Sequence, residues 1–383
     1  MNNLYFGLDL NLAEMRYGTE AAMDIAFARR IALGMDTDPL GIDYYRFEPT
    51  ITKLCKDRDG SCVERSKLAE IIAYGDANVF LACPNPSLAG GAIREIADQE
   101  QKKYFFDFVE ETHCTTFTGI TEPQHGSDVA SLETQLAKID VNTYQITGEK
   151  CFITHGFDGK IGVVVARTGS GPLGIQSVML KEEDLKRGEE EGTLQREMLP
   201  IVGLRGTCLS RIVFHNFIIP AENLLGKHLR VSQRGMFSLI KIFNRMRPCV
   251  AAFSLGQAQG MLDYVATAIS HLTWSQRCLL RSLNAELSYA RSNLYASAKI
   301  IDENPLDSAS VSLVKAQVTR LTERVCSRLL NQIGAVALCA HPLLLKWSRD
   351  IYAFEYMEGT SDMQKRNVSQ KYLARTLVGM NQK

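Results

Sequence analysis

The 383 residues carry 43 lysine and arginine side chains against 43 aspartate and glutamate, with no basic block among them, which excludes a nucleic-acid or anionic-membrane partner held mainly by counterion release. No apolar run reaches membrane-spanning length, and the opening stretch MNNLYFGLDLNLAEMRYGTE lacks the basic-then-apolar order of a secretory signal, so a cytoplasmic protein is expected. Ten cysteines scattered from Cys55 to Cys339 without a Cys-x-x-Cys pair, and seven dispersed histidines without HExxH, give no metal set and suit small core residues.

Up to about Glu111 apolar residues recur at three and four, as in AAMDIAFARRIAL, KLAEIIAYGDANVFLA and KKYFFDFVEE, which predicts helices. From Thr115 to about Leu225 the texture turns to β-branched runs between turns: TYQITGEKCFIT, KIGVVVART, IQSVML and SRIVFHNFIIP. That block reads as a compact all-β unit. After Gly235 long helical patterns return and suffice for a bundle. The reading is an α+β multidomain chain with a helical domain over 1–113, a β domain over 114–225 and a helical bundle over 226–383.

Where helices give way to strands lies GITEPQHGSDVASLETQ, residues 119–135; its Gly126-Ser127 can expose backbone N–H groups in a tight turn, suited to phosphate or to a polarised carbonyl. The strand GEKCFITHG, residues 148–156, presents Phe152 and Thr154 on one face by period-two alternation, an aromatic and a hydroxyl able to support a flat heterocycle or simply to pack in a sheet. Near the end, YMEGTSDMQ sets Glu358 before Gly-Thr-Ser and Gln364, which taken alone reads as an ordinary surface turn.

In series, ITEPxxGSD, GxKxxITxG, the segment Ile219-Pro220-Ala221-Glu222-Asn223-Leu224-Leu225-Gly226, RPxVAAxxLGxAQ from Arg247 to Gln259, and RDxxxxxxxEGTSxxQ resemble the acyl-CoA dehydrogenase family in order and nearly in spacing, from about residue 70 to about 375. The resemblance implies an N-terminal helical domain, a middle β-barrel and a C-terminal four-helix bundle, with FAD between barrel and bundle. It also implies a homodimer or homotetramer, an acyl thioester substrate, and an electron acceptor of the electron-transfer flavoprotein kind. Carried over, Ile120 and Thr121 touch the isoalloxazine edge, Gly126 and Ser127 line the flavin and thioester mouth, Phe152 takes the flavin-stacking position, and Thr154 bonds near flavin N5. Gln332, Thr360 and Gln364 match further FAD positions, and Ser127, Arg247 and Gly359 match substrate positions.

Glu358 is then the base. Removing a proton α to a thioester carbonyl needs a carboxylate desolvated enough to be basic, and the following glycine lets the backbone turn to aim it. The position used for the base in one subgroup of the family is Met246 here, and the nearest other carboxylate is Glu355, on a similar face only if the local backbone is helical.

The match departs in places. ATAISHLTWSQ lacks the family's Arg-x-x-Phe-Gly, the glycine-rich element after Gln332 is reduced to Ile-Gly-Ala-Val-Ala, and Gln124 and His125 replace small residues, which with Met357 narrows the mouth toward short acyl groups. Since no nucleotide-grasping cluster stands out, the acyl group is carried either by coenzyme A or by an acyl carrier protein, as an acyl, β-hydroxyacyl or aminoacyl thioester. A flavin-poor scaffold of the same fold and a flavin oxidase are the competing readings.

Overall fold

In the computed structural model, which describes every residue except 1–3, 6, 41–47, 57–59, 127 and 381–383, a two-residue pair of strands, β1 (Leu4–Tyr5) and β2 (Leu8–Asp9), precedes α1 (Leu10–Tyr17). Helices α2 (Thr19–Thr37), α3 (Pro49–Cys55), α4 (Cys62–Ala82), α5 (Ser87–Ile96) and α6 (Gln99–Thr112) follow. Capping boxes start two of them: Ser61 with Glu64 for α4 and Asp98 with Gln101 for α6, each pair satisfying otherwise orphaned N–H groups. The stretch KLAEIIAYGDANVFLA, one helix by its periodicity, bends at Asp76 (φ −168°, ψ 123°). There the Asp76 carboxylate accepts from Lys346 Nζ at 2.7 Å and Trp347 Nε1 at 2.8 Å in the protein interior.

Seven strands form the middle sheet: β3 (Thr116–Gly119), β4 (Gln135–Lys138), β5 (Thr143–Ile153), β6 (Ile161–Arg167), β7 (Ile175–Leu180), β8 (Leu194–Met198) and β9 (Ser210–Pro220). Their order is β3-β6-β4-β5-β9-β8, with β7 antiparallel on β6. Among the described residues no pairing joins β7 to β8, so the expected barrel is an open half-barrel packed over Phe117, Ile146, Val164, Phe214 and Ile219. The block is not all β either. Helix α7 (Glu182–Glu190) connects β7 to β8, with Glu182, Glu183 and Asp184 in its first turn complementing the positive end of the helix dipole. Its sequence, EEDLKRGEE, is too charged to show an apolar period.

The last block holds α8 (Met236–Ala268), α9 (Trp274–Glu303), α10 (Ser308–Ala340), α11 (Pro342–Asp350) and α12 (Ser361–Met380). The four long ones, α8, α9, α10 and α12, make the bundle. Helices α8 and α4 cross closely, because a Cβ on Gly256 would stand 2.3 Å from the Glu70 carbonyl oxygen and one on Gly260 2.3 Å from that of Tyr74. One core therefore runs through both helical blocks, from Phe27, Ile31 and Ile72 to Leu255, Leu283, Val318 and Trp347. Among the described residues no helix is long and apolar enough to cross a membrane.

Candidate active site

Between α11 and α12 the chain makes a short 3-10 helix, Ile351–Glu355, and then a tight turn in which Glu358 has φ +53° and Gly359 φ +93°. A glutamate in the left-handed region costs about 1 kcal/mol or more, so the surroundings must hold it there. They do so through its main chain. Gln364 Nε2 donates to the carbonyl oxygens of Glu358 and Gly359, both at 2.9 Å, and Arg247 Nε on α8 reaches the Glu358 oxygen at 3.4 Å. Lys315 Nζ on α10 donates to the carbonyls of Glu355 at 2.7 Å and Gly359 at 2.8 Å.

With its backbone fixed by these donors, the Glu358 side chain lies in a desolvated place. Burial pushes its carboxyl up to about 7, against the pull of the cations on Arg247 and Lys315. The same burial brings Arg247 down to about 10 and Lys315 down to about 8, with Glu358 opposing both shifts. Arg247 is further fixed by Nη1 on Asn244 Oδ1 at 2.7 Å. Glu355 is committed elsewhere: it accepts from Ser361 N at 2.7 Å and Ser361 Oγ at 2.6 Å, so it closes the start of α12.

A second group gathers where β3 ends and β5 ends. Ile120 is buried and Thr121 partly exposed, with the Thr121 carbonyl accepting from Cys151 N at 2.9 Å. Beneath them Lys150 Nζ donates to Glu122 Oε1 at 2.7 Å and to the Ile120 carbonyl at 3.2 Å, and Glu122 also receives the N–H groups of Glu133 and Thr134 at 2.6 and 2.9 Å. Burial alone would raise the Glu122 carboxyl, but Lys150 and these N–H groups hold it below its ordinary value. The turn that follows is closed by reciprocal main-chain bonds between Glu122 and His125. Its Gly126 is exposed, with open space where a side chain would be, and Ser127 lies outside the described residues. The His125 ring points to Glu133, 3.3 Å away.

The alternation expected along GEKCFITHG stops at its end. Phe152 has φ +58°, the β5–β9 register shifts between Lys150 and Ile153, and Thr154 belongs to the turn beyond the strand. Phe152 is left 60% exposed and Thr154 partly so. His155, with φ +53°, pins this turn: its Nδ1 meets Asp158 at 3.0 Å and its Nε2 donates to the Leu81 carbonyl on α4 at 3.0 Å.

Of the remaining positions, Thr360 accepts from Met363 N at 3.5 Å at the start of α12. Gln364 is fully buried, turned into the Glu358 turn with its Oε1 unpartnered. Gln332 stands exposed near the end of α10, its carbonyl accepting from Gln276 Nε2. The structure thus joins Arg247, Glu358, Gly359 and Gln364 directly, groups Ile120, Thr121, Phe152 and Thr154 at the sheet's end, and leaves Gln332 apart. Sequence reading missed Lys315, the Glu122–Lys150 pair and His155. The second of these had a signal, since Glu122 and Lys150 each lie inside a quoted motif and carry opposite charges.

A cavity of about 510 Å³ opens on the α8 face that carries Ile242, Arg245 and Met246, the last adjacent in sequence to Arg247. Arg65, Arg94, Lys102, Lys103 and Arg245 contribute to its lining with the carboxylate of Glu95. Four helices supply these side chains, which is why no cluster shows in the linear sequence.

Residues 118–217 match the model of the acyl-CoA dehydrogenase middle domain and residues 233–373 that of the acyl-CoA dehydrogenase C-terminal domain. The chain belongs to the acyl-CoA dehydrogenase family. It is an oxidoreductase of that kind, and it is similar to the subunit CarC of the caffeyl-CoA reductase-Etf complex of Acetobacterium woodii, 27% identical over 310 residues that cover 77% of this chain and 78% of the relative. It is also similar to the short-chain specific acyl-CoA dehydrogenase of Megasphaera elsdenii, 27% identical over 321 residues covering 80% and 81% of the two chains. In fold it is like butyryl-CoA dehydrogenase from Megasphaera elsdenii (TM-score 0.78, 22% identity, 97% and 99% of the two chains covered) and the prolyl acyl carrier protein oxidase AnaB (TM-score 0.77, 17% identity, 92% and 99% covered).

Proposed function

We propose that the chain is an FAD-dependent α,β-dehydrogenase of a short acyl thioester with Glu358 as its base. The observation that carries this reading is the Glu358 turn: a carboxyl raised to about 7 on a left-handed backbone held by Arg247, Lys315 and Gln364. A carboxylate of that strength, only partly open to water, is suited to take a proton from the carbon α to a thioester carbonyl.

The residues at the sheet's end fit the family's cofactor. Phe152 offers an exposed aromatic face, Thr121 and Thr154 offer hydroxyls, and Gly126 leaves room for a close approach. When bound, FAD supplies the two-electron acceptor for the hydrogen leaving the β carbon. The chain's own part is to hold Glu358 ionised, aim it, and take the α-proton as the α–β double bond forms. Lys150 and His155 keep the Thr121 and Thr154 turns in place, and neither faces the reaction.

Coenzyme A is the first reading for the carrier, because the cationic lining beside Met246 suits phosphates. A carrier protein is the second, favoured by the likeness in fold to the carrier-protein oxidase AnaB. The likeness to a subunit of an Etf complex supports an electron-transfer flavoprotein as acceptor. A homodimer or homotetramer is supported by apolar side chains left exposed on α9 and α10, Trp274, Tyr289 and Val336. The test is anaerobic addition of butyryl-CoA, and separately of butyryl-pantetheine, to the FAD-loaded protein. Bleaching of the flavin band by either supports the dehydrogenase; bleaching by neither contradicts it, and equal rates with both contradict a nucleotide-binding role for the cavity.

A further inference from the structure

Lys315 stands outside the residues assigned above. It lies in the first third of α10, more than forty residues before Glu358, and is fully buried. A buried ammonium is costly unless its donors are used. Here they are used on two main-chain oxygens, Glu355 at 2.7 Å and Gly359 at 2.8 Å. These carbonyls bracket the strained residue: one precedes the turn, the other follows Glu358 directly. Among the described residues no side-chain carboxylate is bonded to Lys315, so its donors are spent on main-chain oxygens.

We propose that Lys315 is a positioning residue for Glu358, its ammonium clamping both sides of the left-handed turn so that the carboxylate is aimed, and standing as a positive charge near the base at neutral pH. This rests on the reading of Glu358 as the base. Two consequences follow from the same contacts. A fully buried donor on the Glu355 and Gly359 carbonyls stops the Glu358–Gly359 peptides from relaxing to the ordinary right-handed or extended regions, in which the side chain would leave its place. A cation close to a carboxylate favours the ionised form, so Lys315 keeps the base partly ionised at neutral pH despite burial.

The charged groups around Lys315 are Glu355 and Glu358 from the turn, Arg247 from α8 and Glu323 from its own helix, and Arg320 reaches Glu355 at 4.0 Å. Arg247 also favours an ionised Glu358, but it approaches the turn from the opposite helix and bonds a different carbonyl, that of Glu358 itself. The two cations are therefore separable by substitution.

The experiment compares wild type, Glu358→Gln, Lys315→Met and Lys315→Arg, each loaded with FAD, by anaerobic stopped-flow reduction with butyryl-CoA across pH 5.5–9, alongside binding of a non-reducing thioester and the melting temperature. Lys315→Met is expected to slow flavin reduction about 10- to 100-fold at pH 7. It is expected to move the midpoint of the pH–rate profile upward by about one unit, because a cation is lost beside an acid, and to leave thioester affinity within about threefold. Lys315→Arg keeps the charge and is expected to hold the wild-type midpoint while losing part of the rate to its different shape. Should Lys315→Met not fold, Lys315→Arg decides alone: a midpoint displaced by about a unit, or an unchanged rate and unchanged midpoint, overturns the proposal. For a folded Lys315→Met, a lowered rate with an unmoved midpoint shows a merely structural lysine and overturns it as well. If Glu358→Gln itself bleaches at the wild-type rate, the base reading fails; if it is inert while Lys315→Met matches wild type, only the role of Lys315 fails.

Discussion

The Nε of Arg247 lies 3.4 Å from the main-chain oxygen of Glu358, 111 residues further along the chain, while its Nη1 is held by Asn244. A helix of the bundle thus reaches Glu358 through its backbone, and among the described residues no cation is hydrogen-bonded to the carboxylate itself. Replacing Arg247 by leucine removes this donor and one positive charge. Flavin reduction by butyryl-CoA is expected to slow about 10- to 100-fold, with the pH midpoint of the rate displaced upward; Arg247→Lys, which keeps the charge, should leave the midpoint near that of wild type.

As the proposed base, Glu358 must be ionised to accept a proton. With Glu358 raised to about 7, kcat/KM for a short acyl-CoA is expected to rise with pH through about 7. A profile flat from pH 5.5 to 8.5 contradicts the burial that sets this value.

The same shift has a stability consequence. The folded protein holds a proton on Glu358 up to about pH 7, whereas the unfolded chain releases it near 4.5, so the folded state binds more protons between those values and loses stability as pH rises through them. Glu358→Gln does not titrate. It is expected to melt near wild type at pH 4.5 and above it at pH 7.5, with a gain of about 1–2 kcal/mol, small for the shift because the residue is partly exposed. Melting curves at the two pH values read this directly.

The order of helices, sheet and helices was legible because the apolar period changes from three-to-four to two at Thr115 and back after Gly235. Glu358 was singled out by the family resemblance that the motifs carry in series, since YMEGTSDMQ alone reads as a surface turn, and the left-handed turn it occupies comes from the structure. What escaped the sequence depends on contacts between distant segments. Lys315 bonds carbonyls, which carry no side-chain signature; Asp76 bends α4 where Lys346 and Trp347 arrive from α11; and the basic side chains of the cavity come from four helices. Phe152 and Thr154 were read by strand alternation, which fails where a left-handed residue and a register shift end β5. Helix α7 went unseen because charge, not an apolar stripe, dominates it.

The Glu122–Lys150 pair is nearly inaccessible to solvent, side chains 5% and 0% exposed. Lys150→Met leaves a carboxylate buried without its cation and is expected to cost about 3–5 kcal/mol in urea denaturation, and to lower the FAD content because the Thr121 and Cys151 segments are no longer held together. A cost below about 1 kcal/mol would show that the two main-chain N–H donors suffice.

Trp274, Tyr289 and Val336 are exposed apolar side chains on α9 and α10, the surface on which the proposed self-association rests. Light scattering is expected to give a dimer or tetramer for wild type, and Trp274→Asp is expected to shift it toward smaller species. A monomeric wild type contradicts this part of the account.

The central claim is that Glu358 removes the α-proton, and anaerobic single-turnover flavin bleaching of FAD-loaded Glu358→Gln with butyryl-CoA tests it most directly. The amide is nearly isosteric with the acid but accepts no proton at neutral pH, so the variant is expected to fold, to bind FAD, and to bleach at least ~10²–10⁴-fold more slowly than wild type. Bleaching within tenfold of the wild-type rate would place the base elsewhere and contradict the account.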